Sequence, residues 1–464
     1  MSAHTQRRLD GGRYRFAVAA CLIVALGALG GASRADELQQ PVVIFASLAA
    51  IAAALWPLDF SLLRDARGLI AAVALVYLLL LAQLVPLPPG LWSGLPGHGV
   101  YAEVARRTGS VGWRPLTVSP DLTLNAISGL VPATAAGLAA LMLDLRGRIR
   151  LAQVVVGISC ASAVLGLVQL ASGGTAFHLF RTSSADSAVG LFANRNHQAA
   201  LMACCLPLVA ALATIRLREG AAPGRVIAAT IAIVGLFLIA IAAAGSRMGL
   251  LLGAIGLVAA VAIYWRCGRG AIAKAPIRPA LVAAGIFAGL AAILPISLLI
   301  ARSGAIERLS SSQSIDQTRV AALAPMIEAA RAFFPFGAGF GTFSPVFDRF
   351  EPNSMLSTIY LNQGHNEPVQ LAIEGGLAAM LLLFLFLLWW LRSAIVALGR
   401  RESPVRGAMG MATAAGTLIL LMSSLVDYPL RTPFLGGLFA IFCVELVRSS
   451  RRPRPVRAAS RGTA

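Results

Sequence analysis

The chain has 464 residues, of which 58% are hydrophobic and only 13% charged, and its mean hydropathy is +0.78. That composition excludes a soluble globular protein and a disordered one. The formal charge is +19, but no Lys/Arg run is interleaved with aromatics, so the basic excess speaks for membrane topology and contact with anionic lipid, and against nucleic acid.

Apolar runs of about 17 to 23 residues recur between Arg-rich or Gly/Pro-rich breaks. Each can cross a hydrocarbon core that takes about 20 helical residues. The pattern predicts an all-α, polytopic membrane helical bundle of about twelve spans. They fall at 14–31, 41–58, 68–85, 122–143, 151–171, 197–215, 225–243, 248–265, 279–300, 369–391, 406–425 and 431–447. Residues 1–13 form a short N-terminal tail, 14–447 the transmembrane domain, and 448–464 a basic tail suited to anionic headgroups. The first run is long enough to be a retained signal anchor.

Charge orients this map. With the N-terminus in the cytoplasm and sides alternating, the inner segments collect 26 of the 39 Lys+Arg but only 7 of the 20 Asp+Glu. The positive-inside rule predicts that bias, so both termini are expected in the cytoplasm of a bacterial inner-membrane protein. Two outer loops are long. The 86–121 loop, with Trp92, Trp113 and Pro86, Pro88, Pro89 and Pro96, reads as an ordered lid on the headgroups. The 301–368 loop, between spans nine and ten, contains apolar positions 320, 323, 324, 327, 330 and 334 at helical spacing. They predict an amphipathic helix, kinked at Pro325, resting on the membrane or on the bundle. The six cysteines all lie in or beside spans without CxxC spacing, which reads as small buried thiols and not as disulfides or a zinc site.

The polar groups of interest all fall on the outer side. Asn194-Arg195-Asn196-His197 opens the sixth span. Asn194 and Asn196 suit a helix cap, while Arg195 is the wrong sign for a helix N-terminus and asks for an anion. Arg247 follows Gly245-Ser246 in a very short turn, alone in a long apolar stretch, where a guanidinium should have a partner. Its planar fork suits phosphate. His365, with Asn366 and Glu367, precedes the tenth span, and Glu374 lies two turns into it; a neutral imidazole there can take a proton from a hydroxyl. Asp427, in the last outer turn, would pair with Arg431 or with one of the lone arginines. Arg319 offers a further anion contact. There is no Asp-x-Asp grip for a metal–nucleotide and no Walker A loop, and Gly337 to Gly341 follows no strand, which speaks against a dinucleotide loop.

Taken in order, Asn194 to His197, Ser246-Arg247, Gly337 to Phe343, His365-Asn366, Glu374-Gly375-Gly376 and Asp427 to Pro433 resemble the O-antigen ligase/polymerase superfamily of bacterial envelope enzymes. The Pro86 to Pro89 and Trp113 to Leu116 stretches agree with it. The resemblance runs from about 70 to 435 and departs at Glu367-Pro368, where a bulkier apolar or aromatic residue is common. It implies twelve spans and a metal-independent, cofactor-free, inverting glycosyl transfer at the periplasmic face, from undecaprenyl diphosphate to a lipid A–core or glycan acceptor. It also implies that Arg195 and Arg247 bind the diphosphate and that His365 acts as base. Asn194, Asn196, Arg319, Asn366, Glu374 and Asp427 would be substrate-binding. A transporter of an anionic or lipid-linked substrate is the rival reading, since twelve spans and exposed arginines suit it too.

Overall fold

The computed structural model describes residues 3–34, 36–56, 64, 66–182, 186–268, 270, 305–356, 361–399 and 403–451, with 3–10 and 305–318 described as backbone. Its long helices are α1 Ala3–Leu29, α2 Gln39–Ala54, α3 Arg67–Ala82, α4 Pro120–Leu141, α5 Leu145–Ala171, α6 Arg195–Arg218 and α7 Pro223–Ala244. They continue as α8 Arg247–Ile263, α9 Ala305–Ala332, α10 Glu367–Gly399, α11 Pro404–Ser423 and α12 Pro433–Ser450.

Helices coincide with eleven of the twelve segments expected to span. The ninth, 279–300, lies outside the described residues. Among the described residues, nine helices are long and apolar enough to cross a membrane, so the count of twelve is not reached. Two of the three remaining segments fall short by length, and the third is 279–300. Helices α2 and α3 have 16 residues each, about 24 Å of rise, less than the roughly 30 Å of a hydrocarbon core.

Local chemistry sets where these helices begin. Asp144 caps α5 by accepting from Gly147 N at 2.7 Å, Asn194 caps α6 through Asn196 N at 2.8 Å, and Ser246 caps α8 through Gly249 N at 2.9 Å. Proline occupies the first turn of α4, α7, α11 and α12, where its missing N–H costs nothing. Helix α6 is the axis of the bundle, buried along most of its length and packed against α5, α7, α8 and α11. Helix α8 lies directly on it because a Cβ at Gly249 or Gly256 would overlap Ala199 or the Ala203 carbonyl. Small residues at such contacts are how helices in lipid gain packing.

The segment after α3 is folded, and differently from the expectation of a lid on the headgroups. Pro86–Leu87 pairs antiparallel with Arg114–Pro115. Trp92 is fully buried, its indole donating to Gly112 O at 2.9 Å, while Trp113 stays exposed. Trp92 is therefore a core anchor of this small unit.

Helix α9 confirms helical spacing in the second loop and runs through Pro325 without a break in the helix. Its buried face is Ala322, Met326, Ala329 and Phe333. The apolar positions expected to form its packing stripe instead include the exposed Val320, Leu323, Ile327 and Phe334. The helix is apolar on two sides, one against the protein and one outward.

Helix α10 is interrupted at Gly376 (φ 56°, ψ −146°). There the Gly337–Phe340 turn replaces the lost helical hydrogen bonds. Ala338 N donates to Ile373 O at 2.8 Å, Gly339 N to Glu374 O at 2.9 Å, and Leu377 N to Pro335 O at 2.8 Å. Buried Gln83 ties the junction to α3, donating to Glu374 O at 3.0 Å and accepting from Phe340 N at 2.9 Å. Among the described cysteines all are free, and Cys204, Cys205, Cys267 and Cys443 are buried.

Candidate active site

The turns before α6 and α10 and the turn between α11 and α12 meet at one end of the bundle. Their meeting point is Asp427, whose carboxylate is buried. Asn194 Nδ2 donates to its two oxygens at 3.3 and 3.1 Å, and Asn196 Nδ2 donates to Oδ2 at 2.6 Å. His365 Nδ1 is 3.2 Å from Oδ1, and His197 Nε2 stands 3.6 Å from the same atom. The backbone adds Tyr428 N at 2.9 Å.

Burial by itself pushes the Asp427 carboxyl up. His365 and His197 beside it outweigh that penalty and hold it well below the usual carboxylate range. The carboxylate stays charged because positive or polarisable donors surround it.

His365 adopts φ 49°, a conformation that strains most side-chain-bearing residues. The chain holds it there from both sides. Gly364 N donates to Gln370 Oε1 at 2.8 Å, and Glu367 N donates to Ser424 O at 2.9 Å. A carboxylate partner on Nδ1 fixes the proton on that nitrogen and leaves Nε2 as the basic one.

Tyr428 closes the cluster between the two imidazoles, 4.8 Å from the His365 ring and 5.2 Å from that of His197, edge-on to the latter. Burial and then the Asp427 charge push its phenol above the ordinary range, while Arg319 and Arg34 act in the opposite sense. Both arginines act on the phenol through their charge. Arg319 Nε is buried and finds no hydrogen-bond partner among the described residues. Arg34 follows the end of α1, where Gly30 O accepts from Phe434 N at 3.0 Å and Gly31 O accepts from Ala193 N at 3.2 Å.

The nine residues singled out in the sequence thus divide. His365, Asn194 and Asn196 are each in direct contact with Asp427, and Arg319 reaches Tyr428 only through its charge. Arg195 lies between the two asparagines, its Nη1 3.5 Å from Ser187 Oγ and against the Gly245 turn. Arg247, two residues further on, is exposed and forms no hydrogen bond or ion pair with a described residue. Asn366 caps α10, accepting from Val369 N at 3.1 Å.

Glu374 is fully buried behind the site, not facing it. It accepts from Gln370 at 2.9 Å and from Arg431 at 3.3 Å. Arg431 also holds Glu367 through both nitrogens, at 2.6 and 3.1 Å. Burial opposes the Arg431 charge, but Glu367 and Glu374 outweigh it and push the guanidinium further up. The expected Asp427–Arg431 pair does not form. Arg431 is committed to the two glutamates, and Asp427 takes the amides and imidazoles instead.

His197, Tyr428 and Arg34 were missed as site residues. His197 stood in the quoted helix start and Tyr428 beside Asp427. Arg34 follows the first span with Asp36 and Glu37 close behind it, so it lacked the isolation that marked Arg247.

Residues 232–384, about a third of the chain, match the family model described as O-antigen ligase (Wzy_C). The match contains Arg247, Arg319, His365, Asn366 and Glu374; the groups that surround His365 from Asn194, Asn196 and Asp427 lie outside it. No curated protein matches the chain. That segment is similar to the O-antigen ligase family, and the described residues carry the many long apolar helices of a multi-pass membrane protein.

Proposed function

We propose that the protein transfers a glycan from a polyprenyl-diphosphate carrier, such as undecaprenyl diphosphate, to a hydroxyl of a lipid A–core or glycan acceptor at the periplasmic face. The observation that carries this is the His365–Asp427 contact, enclosed by neutral amides and beside several arginines. Asp427 keeps the His365 Nδ1 proton in place, so Nε2 takes the proton of the attacking hydroxyl and Asp427 stabilises the imidazolium that results. The acceptor oxygen bonds to the anomeric carbon as the bond from that carbon to the diphosphate oxygen breaks. Attack opposite the leaving group inverts the centre. The electron pair leaves on the diphosphate, where Arg195 and Arg247, at the mouth of α6 and α8, and Arg319 meet the growing charge. No step in this scheme assigns work to a metal.

The test is reconstitution of the full chain with a lipid-linked oligosaccharide and an acceptor. Product formation lost in His365→Ala and Arg247→Ala, with both variants folded, supports the reading. Accumulation of substrate inside sealed vesicles with no covalent product would replace it with transport.

A further inference from the structure

The proposed transfer leaves one buried side chain of the cluster without a role. His197 lies in the first turn of α6, its N bonded to Asn194 O at 3.1 Å. It is 1% exposed, and neither ring nitrogen makes a hydrogen bond to a described residue. Phe192 and Tyr428 meet the ring edge-on, their centroids 6.2 and 5.2 Å away. A phenylalanine would fill that space without bringing two buried polar atoms that need partners. The acceptor set against the ring is Asp427 Oδ1, 3.6 Å from Nε2. That oxygen is also the partner of His365 Nδ1, at 3.2 Å. The start of α6 thus sends three side chains, Asn194, Asn196 and His197, to one carboxylate.

We propose that His197 is a positioning residue whose Nε2–H faces Asp427 Oδ1 and keeps that oxygen in line with His365 Nδ1. Its role rests on the transfer proposed above, in which His365 is the base. Asn196 and Asn194 hold Oδ2 at 2.6 and 3.1 Å. Oδ1 has Tyr428 N at 2.9 Å and only a long contact to Asn194, at 3.3 Å. The last torsion of an aspartate is broad, so a carboxylate gripped mainly at one oxygen can swing the other away from its partner. A second donor on Oδ1 removes that freedom. Because the acceptor is ionised, an N–H aimed at it from 3.6 Å is still attracted by its charge. The proton therefore sits on Nε2, since a bare lone pair there would face a carboxylate oxygen. The same ring, packed against Tyr428, also supports the phenol that lies 4.8 Å from the His365 ring.

The test uses the full-length protein in lipid bilayers, its histidines labelled with nitrogen-15 and read by solid-state NMR. The chain has five histidines, so the His197 signals are those lost in His197→Phe and the His365 signals those lost in His365→Ala. The expected result is a protonated Nε2 on His197 in the wild-type protein. The His365 Nδ1 signal should move in His197→Phe, which keeps a packed ring, and return in His197→Gln, whose amide nitrogen reaches the same point. In reconstituted transfer, His197→Phe should lower kcat about tenfold, the scale of one lost donor to a charged group, with KM for donor and acceptor within about twofold of wild type. His197→Gln should recover most of that loss. A bare Nε2 on wild-type His197, or a His365 signal that stays in place in His197→Phe, overturns the proposal whether or not the protein transfers a glycan. So does wild-type kcat in His197→Phe where His365→Ala is inactive. Full activity in His365→Ala would instead remove His365 as the base, and with it the role assigned to His197.

Discussion

Arg431 offers the sharpest test of how the candidate site is built. It is the cation of both Glu367 and Glu374, the latter with no exposed surface at all. Arg431→Met removes the charge and keeps much of the volume. Two carboxylates then share a largely dry environment with only Gln370 as a donor to Glu374. Removing one partner of a buried ion pair costs about 3–5 kcal/mol, and here one arginine serves two acids, which places the loss at the upper end. The first turn of α10 then loses its tether to the α11–α12 turn, leaving the Glu367 N to Ser424 O bond. His365 sits two residues before that tether, and Asp427 four residues before Arg431. Thermal unfolding of the purified protein should therefore shift down strongly, and turnover should fall with it. The triple variant Arg431→Met/Glu367→Gln/Glu374→Gln removes all three charges, a change that is often neutral for buried pairs. It should recover most of the stability and measurable turnover. A melting temperature of Arg431→Met equal to wild type would refute the structural role. A stable but fully inactive triple variant would show that Arg431 touches the substrate instead of positioning the site.

Asp427→Asn should lower the maximal rate by about 10²–10⁴-fold with little change in KM, the scale of a lost acid–base contribution; a rate within tenfold of wild type would sink the dyad. The same carboxyl has a folded value well below the ordinary one, so its ionisation stabilises the fold fully above the unfolded value of about 3.9 and that stability is lost as pH falls through the folded value. The melting-temperature gap between wild type and Asp427→Asn should thus hold constant from pH 7 to about pH 5 and narrow only below about pH 4. Arg247→Lys should lose most turnover while folding normally, because a point charge replaces a planar fork; wild-type kinetics would remove Arg247 from diphosphate binding. Gly376→Ala should destabilise the protein by at least about 2 kcal/mol in denaturation, since φ 56° disfavours any Cβ and that atom would overlap the Pro335 carbonyl.

Much of this architecture was legible because lipid imposes one strong rule. A span must satisfy its own backbone, so it reads as a long apolar run, and eleven expected segments coincide with helices. Length misled at α2 and α3, where hydropathy continues past the point at which the helix ends. Tertiary detail was less legible. The apolar stripe of α9 was placed on residues that face outward, because small Ala322 and Ala329 with Met326 make the tighter protein contact and larger Val320 and Ile327 do not. Trp92 and Trp113 have the same composition signal and opposite fates, decided by whether Gly112 O is within reach of an indole.

The candidate site was legible as a list of residues and not as a pattern of partners. Isolated polar groups in an apolar chain stand out, which found His365, Asp427 and the asparagines. Opposite charges 4 residues apart invite pairing, which suggested Asp427 with Arg431. The fold separates the charges instead. Glu367 and Glu374 occupy Arg431, and Asn194 and Asn196 fill the remaining acceptor positions of Asp427 with neutral donors. The consequence is chemical. An arginine on Asp427 would cancel the negative charge that His365 meets. Amides satisfy the carboxylate's lone pairs without cancelling its charge, and that leaves the full negative charge to favour the protonated imidazole when a hydroxyl gives up its proton. The two glutamates hold Arg431, while Arg195 and Arg247 stand at the starts of α6 and α8, where a leaving diphosphate would sit on the proposed reading.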